Sequence, residues 1–306
     1  MADKVAAAVA AMALAMTLFA AGFGACTLPA STQATANDAV SPYADGQLTA
    51  LAVETRGFTV DDYGRDADGE DGARDRLAAV ILDAAREASA EGSPASGRWS
   101  AEARKAVAAI ADGSSPQAAL DRLAAVDDAY ALDGDALSHL DDCNVLVRAA
   151  VPALWGVAAL AAAALAFLLA RRKRRLAGTA LVVAPAVLIV AFAALGAWAA
   201  LDFNGLFSAF HAVLFPQGNW TFSYDSLLIS MYPLDFWMGM AGIWFATTLA
   251  LSILAIVVGV LLRRPGRNAR GHAARSFRTS RNALGAFRAS PGLFEHGMSS
   301  GIPPRP

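Results

Sequence analysis

The chain has 306 residues, of which 56% are hydrophobic and 17% charged, with a formal net charge of −2 and a mean hydropathy of +0.41. This balance points away from a soluble enzyme and towards an integral membrane protein. The small net charge hides an asymmetry, because residues 27–145 hold 22 Asp and Glu against 9 Lys and Arg, while the stretch from Arg263 holds 9 Arg against one Glu. That basic stretch directly follows an apolar segment, so it reads as a membrane-flanking tail and not as a nucleic-acid surface.

Four segments are apolar over the roughly 20 residues needed to cross a bilayer: Val5–Ala25, Val145–Ala170, Leu176–Leu201 and Phe236–Leu262. The second ends in the basic run Arg171–Arg175 and the fourth in Arg263 and Arg264, which assigns both ends to the cytoplasm. The expected topology follows. The N- and C-termini lie inside, and residues 27–144 and the link 202–235 lie outside. The expected domains are therefore a first span at 1–26, a small helical extracytoplasmic domain at 27–144, spans at 145–170, 176–201 and 236–262, and a basic, disordered cytoplasmic tail at 263–306. The first span also has signal-peptide character, since Lys4 precedes an Ala-, Leu- and Met-rich run that ends in small residues before Cys26. Both readings stay open at this point. The two cysteines, Cys26 and Cys143, fall at the outer face, where oxidation is permitted; they read equally as a disulfide and as two unpaired residues.

In the outer segment, Thr27–Val40 reads as a polar linker and Leu48–Thr59 as a short helix. Asp61–Asp75, DDYGRDADGEDGARD, reads as a solvated acidic loop; it lacks the spacing and closing Glu of a calcium-binding EF-hand loop. Helical periodicity follows at Ala73–Glu91, Ser100–Asp112 and Pro116–Tyr130, broken by Gly-Ser-Pro clusters. Ser100 lacks a capping-box partner, so that helix start is soft. No strand pattern is present. The fold class expected is an all-α membrane protein with four transmembrane helices and a small, Ala-rich helical domain between the first two. From Asp133 the sequence runs without a breaker into the second span.

The segment Phe203–Trp237 is far longer and more aromatic than a plain hairpin between spans, and it places His211 inside the apolar run FSAFHAVLF. An ionisable residue at or near membrane depth is costly and marks a candidate functional site. His139 lies on the same side, at the head of the second span. Asp142 and Cys143 follow at i+3 and i+4 and share its helix face. Asp142, and not Asp141, is the carboxylate spaced to orient His139, as general-base chemistry requires. His211 has no carboxylate within one turn; Asp202 and Asp225 are nearest in sequence. Most of the aromatics, from Phe203 to Trp237, read as an interfacial belt. The remaining histidines, His272 and His296, sit in the basic tail.

The run FHAVLFPQGNW, a polar stretch, and then LLISMYPLDFW before the last span resemble the signature of the Lit family, the lipoprotein intramolecular transacylases. His139-Leu140-Asp141-Asp142 resembles the family's second motif, and four spans with a large outer segment after the first also fit. The resemblance covers residues 136–262 well and 1–60 loosely. Cys143 stands where the family usually has Val, Phe215-Pro216 departs from the usual run, and the outer segment is longer.

The resemblance implies a multi-pass cell-membrane enzyme with its site facing the outer surface. It implies lipidated lipoprotein N-termini and membrane lipids as partners and no cofactor or metal. An ester-linked acyl chain would move to the α-amine of the lipoprotein's N-terminal cysteine. His211 would be the central catalytic group and His139, oriented by Asp142, would assist. Asn219, Trp220, Phe210 and Phe215 would shape the substrate pocket, with Asn219 and Trp220 able to supply donors. Two other readings compete: a metal-dependent membrane hydrolase with His139, Asp142 and His211 as ligands, and a non-catalytic scaffold presenting the acidic outer surface. A transporter is disfavoured, because the spans carry no interior charges and no paired broken helices.

Overall fold

The computed structural model describes residues 1–36, 40–110 and 115–264, and these contain no β-strand. The reading of the basic tail, with His272 and His296, lies outside the described residues. Eleven α-helices are present in the described chain: α1 (Ala2–Cys26), α2 (Pro29–Thr35), α3 (Asp45–Val60), α4 (Arg65–Ser89), α5 (Ala101–Ala108), α6 (Pro116–Ala124), α7 (Gly134–Ala170), α8 (Arg174–Leu201), α9 (Phe203–Leu214), α10 (Leu227–Met231) and α11 (Leu234–Arg263). Four of them, α1, α7, α8 and α11, are long and apolar enough to cross a membrane. Their surfaces are paved with exposed apolar side chains such as Trp155, Val190, Phe245 and Leu254, which water would not tolerate as one continuous face.

The four long helices form one bundle joined through small residues. Ala10 of α1 packs with Ala164 and Leu168 of α7 and with Ala177 and Ala180 of α8. Further along, Ala15 and Leu18 meet Ala184 and Leu188. α8 and α11 touch backbone to backbone: a Cβ on Gly178 would lie 2.5 Å from the Gly259 carbonyl oxygen, and one on Gly259 2.7 Å from the Gly178 oxygen. Small-residue contacts of this kind let helices approach where lipid supplies no hydrophobic drive. Asp3 pairs with Arg171 (2.9 Å) and Lys173 (3.3 Å), so the start of α1 lies at the α7–α8 turn. That turn closes through Arg172 in the left-handed region (φ 57°), with the Lys173 N–H donating to the Leu168 carbonyl. Arg263 reaches the same end, beside Gly178. One end of the bundle is therefore basic, and the residues of interest gather at the other.

At that other end a helical domain encloses its own core. Tyr43, Leu51, Phe58, Leu77, Ile81, Leu120 and Leu123 are almost fully buried, together with Leu137 from the first turns of α7. The domain is completed by α10, whose Leu227, Leu228 and Met231 enter the same core. The Tyr232 hydroxyl donates to the Ala52 carbonyl (2.7 Å), and the Leu227 N–H to that of Asp128 (2.9 Å).

Several sequence expectations need correction. Residues 29–35 are helical, not linker, and the buried Thr35 packs on Gly239 of α11. The acidic stretch is a loop only as far as Gly64, since α4 begins at Arg65 and breaks at Gly69 (φ 74°). Some of its carboxylates are paired: Asp62 and Asp66 with Arg148 of α7, and Asp68 with Arg76. The soft start at Ser100 is capped, its hydroxyl accepting from the Ala103 N–H. α7 runs unbroken from its Asp133 cap, as the sequence indicated.

Candidate functional site

The site forms where α7 leaves the helical domain and enters the apolar bundle. Two buried groups fix this part of α7. Asp141 receives Arg65 (2.7 Å) and Arg74 (2.6 Å) from α4, and Asp141 and Arg65 each keep only 8% side-chain exposure. Asn144 donates through Nδ2 to the carbonyls of Thr59 (3.1 Å) and Asp61 (2.9 Å), at and just past the end of α3. Asp141 thus points into the domain. The opposite face of α7 is left to carry Ser138, His139, Asp142 and Cys143.

His139 is 8% exposed. Its ring is walled by Phe215 at 4.5 Å and Phe222 at 5.6 Å, and it lies 6.1 Å from the His211 ring, tilted by only 29°. The two histidines therefore meet. His211 in turn is sandwiched by Phe207 (3.9 Å) and Trp220 (5.1 Å), with Phe210 edge-on at 5.3 Å and Phe215 at 5.7 Å.

Charge and proton positions follow from these surroundings. The Nδ1 atom of His211 lies 2.9 Å from the Phe207 carbonyl oxygen, which can only accept. Nδ1 therefore carries the proton, and the lone pair of neutral His211 sits on Nε2. Burial lowers the His211 pKa from its ordinary value, opposed by that hydrogen bond. Burial lowers His139 further, to about 4; the neighbouring His211 adds to this and Asp142 opposes it. Both imidazoles are neutral near pH 7. His139 Nε2 touches the Cys143 sulfur at 3.7 Å, and His139 Nδ1 is buried without a hydrogen-bond partner among the described residues. Cys143 stays a thiol, its pKa pushed up to about 12 by burial and by Asp142. Cys26 bonds instead to the Met240 carbonyl (3.3 Å), and both cysteines are free.

Asp142 makes no hydrogen bond to His139. Its Oδ2 accepts from Gln217 (2.6 Å) and Asn219 (3.0 Å), tying the 215–222 segment to α7. This tether brings Phe215 and Phe222 against His139. Asn219 also donates to the Ser138 hydroxyl (3.3 Å). Asp202 does not serve His211 either: it caps α9, accepting from the Gly205 N–H, and the partner of His211 is backbone. No group of three His, Cys, Asp or Glu side chains among the described residues is gathered as a metal would require, so the ligand set His139, Asp142 and His211 is not assembled.

Sequence reasoning placed His139, His211, Asn219, Trp220, Phe210 and Phe215 in one neighbourhood, though Phe210 stays 55% exposed. It missed Phe207, Phe222, Ser138 and Gln217 as neighbours of the two rings. Phe207 was legible, being one helical turn before His211. Phe222 and Gln217 were not, because only the tether to Asp142 brings them in.

Residues 119–237 match the family model of the lipoprotein intramolecular transacylase Lit. The matched segment begins in α6, ends early in α11, and contains every residue just described around the two histidines. The resemblance drawn from FHAVLFPQGNW and LLISMYPLDFW holds over this segment. No curated protein and no solved structure matches the chain.

Proposed function

We propose that this chain is an integral membrane acyltransferase that moves an ester-linked acyl chain from the glyceryl group of a lipoprotein to the α-amine of its N-terminal cysteine. The observation that carries this reading is the pair of neutral imidazoles, 6.1 Å apart, inside the segment that matches the transacylase family. The basic ends of α7, α8 and α11 face the cytoplasm under the positive-inside rule. The histidines then open to the outer leaflet, where a lipidated N-terminus is held.

The chemistry asks for a base, a proton donor and a dry site. The amine nitrogen attacks the ester carbonyl, and its proton passes to a neutral imidazole. The carbon–oxygen bond of the tetrahedral intermediate then breaks, and the imidazolium returns the proton to the departing glyceryl oxygen. An amide has formed, an ester is lost, and no proton is gained or lost overall. His211 suits the base, since Phe207 holds its Nδ1–H and leaves Nε2 free. His139 serves as the second proton carrier, with Nδ1 unpartnered. The aromatic walls exclude water that would divert the acyl group to hydrolysis.

Expression in a host that makes diacylated lipoproteins, followed by mass spectrometry of their N-terminal peptides, tests the reading. An acyl group on the α-amine, with a free glyceryl hydroxyl, is expected. Unaltered peptides from cells whose membranes contain the protein would defeat it.

A further inference from the structure

The Asn219 side chain holds a second piece of chemistry. A carboxamide offers two N–H donors and one accepting oxygen. Here the nitrogen is fixed by chemistry, because the Asp142 carboxylate 3.0 Å away can only accept. The second N–H is directed at the Ser138 hydroxyl, 3.3 Å away. Both donors of Asn219 are thus engaged. Its Oδ1 is shielded from solvent and has no partner among the described residues. A buried acceptor left unsatisfied calls for a specific explanation, and such an atom beside a reaction site is explained by a donor that arrives with the substrate.

We infer that Asn219 Oδ1 is the receptor for the attacking α-amine, so that Asn219 and Asp142 together form an amine-binding subsite. The inference rests on the transacylase reading and names which part of that substrate Asn219 holds. The ester carbonyl and its oxyanion are acceptors and are repelled by Oδ1. The amine is the donor among the reacting groups. Asn219 therefore does not supply an oxyanion donor. The Asp142 carboxylate behind it adds negative charge that favours an N–H donor over an oxyanion at this position. Ser138, which receives the second N–H, is the chain neighbour of His139. Trp220, the residue after Asn219, lies against the His211 ring at 5.1 Å, so the subsite adjoins the proposed base.

The test uses purified full-length protein in lipid nanodiscs with a synthetic diacylated lipopeptide. Mass spectrometry separates acyl chains moved to the amine from those released to water as fatty acid. In Asn219→Ala the ratio of transferred to hydrolysed acyl chain falls at least tenfold. In Gln217→Ala, which loosens the same tether to Asp142 but leaves Oδ1 in place, the ratio falls severalfold less than in Asn219→Ala. A wild-type ratio in Asn219→Ala, or an equal fall in both variants, overturns the inference. A wild-type protein that makes no N-acyl product sinks the transacylase reading itself. A measurement free of folding effects uses the unaltered protein and two non-hydrolysable diether lipopeptides, one with the α-amine and one with hydrogen in its place. The amine-bearing compound binds at least tenfold more tightly; equal affinities contradict the subsite.

Discussion

Each histidine is made useful by what surrounds it. Desolvation keeps both neutral, and one backbone carbonyl sets the tautomer of His211. A base whose pKa is lowered works at lower pH than an ordinary histidine, because it loses its lone pair only when pH falls through the lowered value. The acid limb of the transfer-rate profile is therefore expected below pH 6.5, the usual histidine value. An acid limb above 6.5 would show that neither imidazole is the base. A different residue carries stability. Asp141 is buried with Arg65, and removing one partner of such a pair leaves an uncompensated charge. Asp141→Ala should cost about 3–5 kcal/mol, measurable as a loss of thermal stability in detergent. A loss under 1 kcal/mol would mean that water reaches Arg65.

Among the elements, the four long helices and α7's unbroken run were legible in the sequence, because about 20 apolar residues with basic ends have few alternatives. The beginning of α4 was not. DDYGRDADGEDGARD has the composition of a loop, and its helix is supported by Arg148, distant in sequence, pairing with Asp62 and Asp66, and by Arg76, nearby, pairing with Asp68. The role of α10 was hidden for a similar reason. LLISM looks like the approach to a span, yet its leucines complete a core built from residues 43 to 140. The meeting of His139 and His211 was inferable only as a shared side of the membrane, since the bonds that join them run through Asp142, Gln217 and Asn219. Because Leu227 is fully buried, Leu227→Ala should destabilise the helical domain by about 2–5 kcal/mol. It should also slow acyl transfer by loosening the link that carries His211. Unchanged melting and rate would show that α10 is not anchored there.

For the whole molecule, the account requires that the helical domain and the site lie on one side of the bilayer and the basic turn on the other. A membrane-impermeant maleimide applied to intact cells should label Glu91→Cys and spare Arg172→Cys; the reverse pattern would invert the proposed topology. α1 packs along α7, α8 and α11, and Gly22 lies so close to Trp244 and Thr248 that a Cβ there would clash. We propose that α1 stays attached as a span, so the membrane-extracted protein should retain its residues before Cys26. The central claim is that His139 and His211 act as one catalytic unit. The most direct test is the rate of N-acyl lipopeptide formation by His139→Ala, His211→Ala and the double variant, each purified in folded form. Groups that act together lose rate non-additively. Each single variant should fall by about a hundredfold or more, and the double variant should fall little further. A wild-type rate in either single variant, or losses that multiply in the double, would contradict the account.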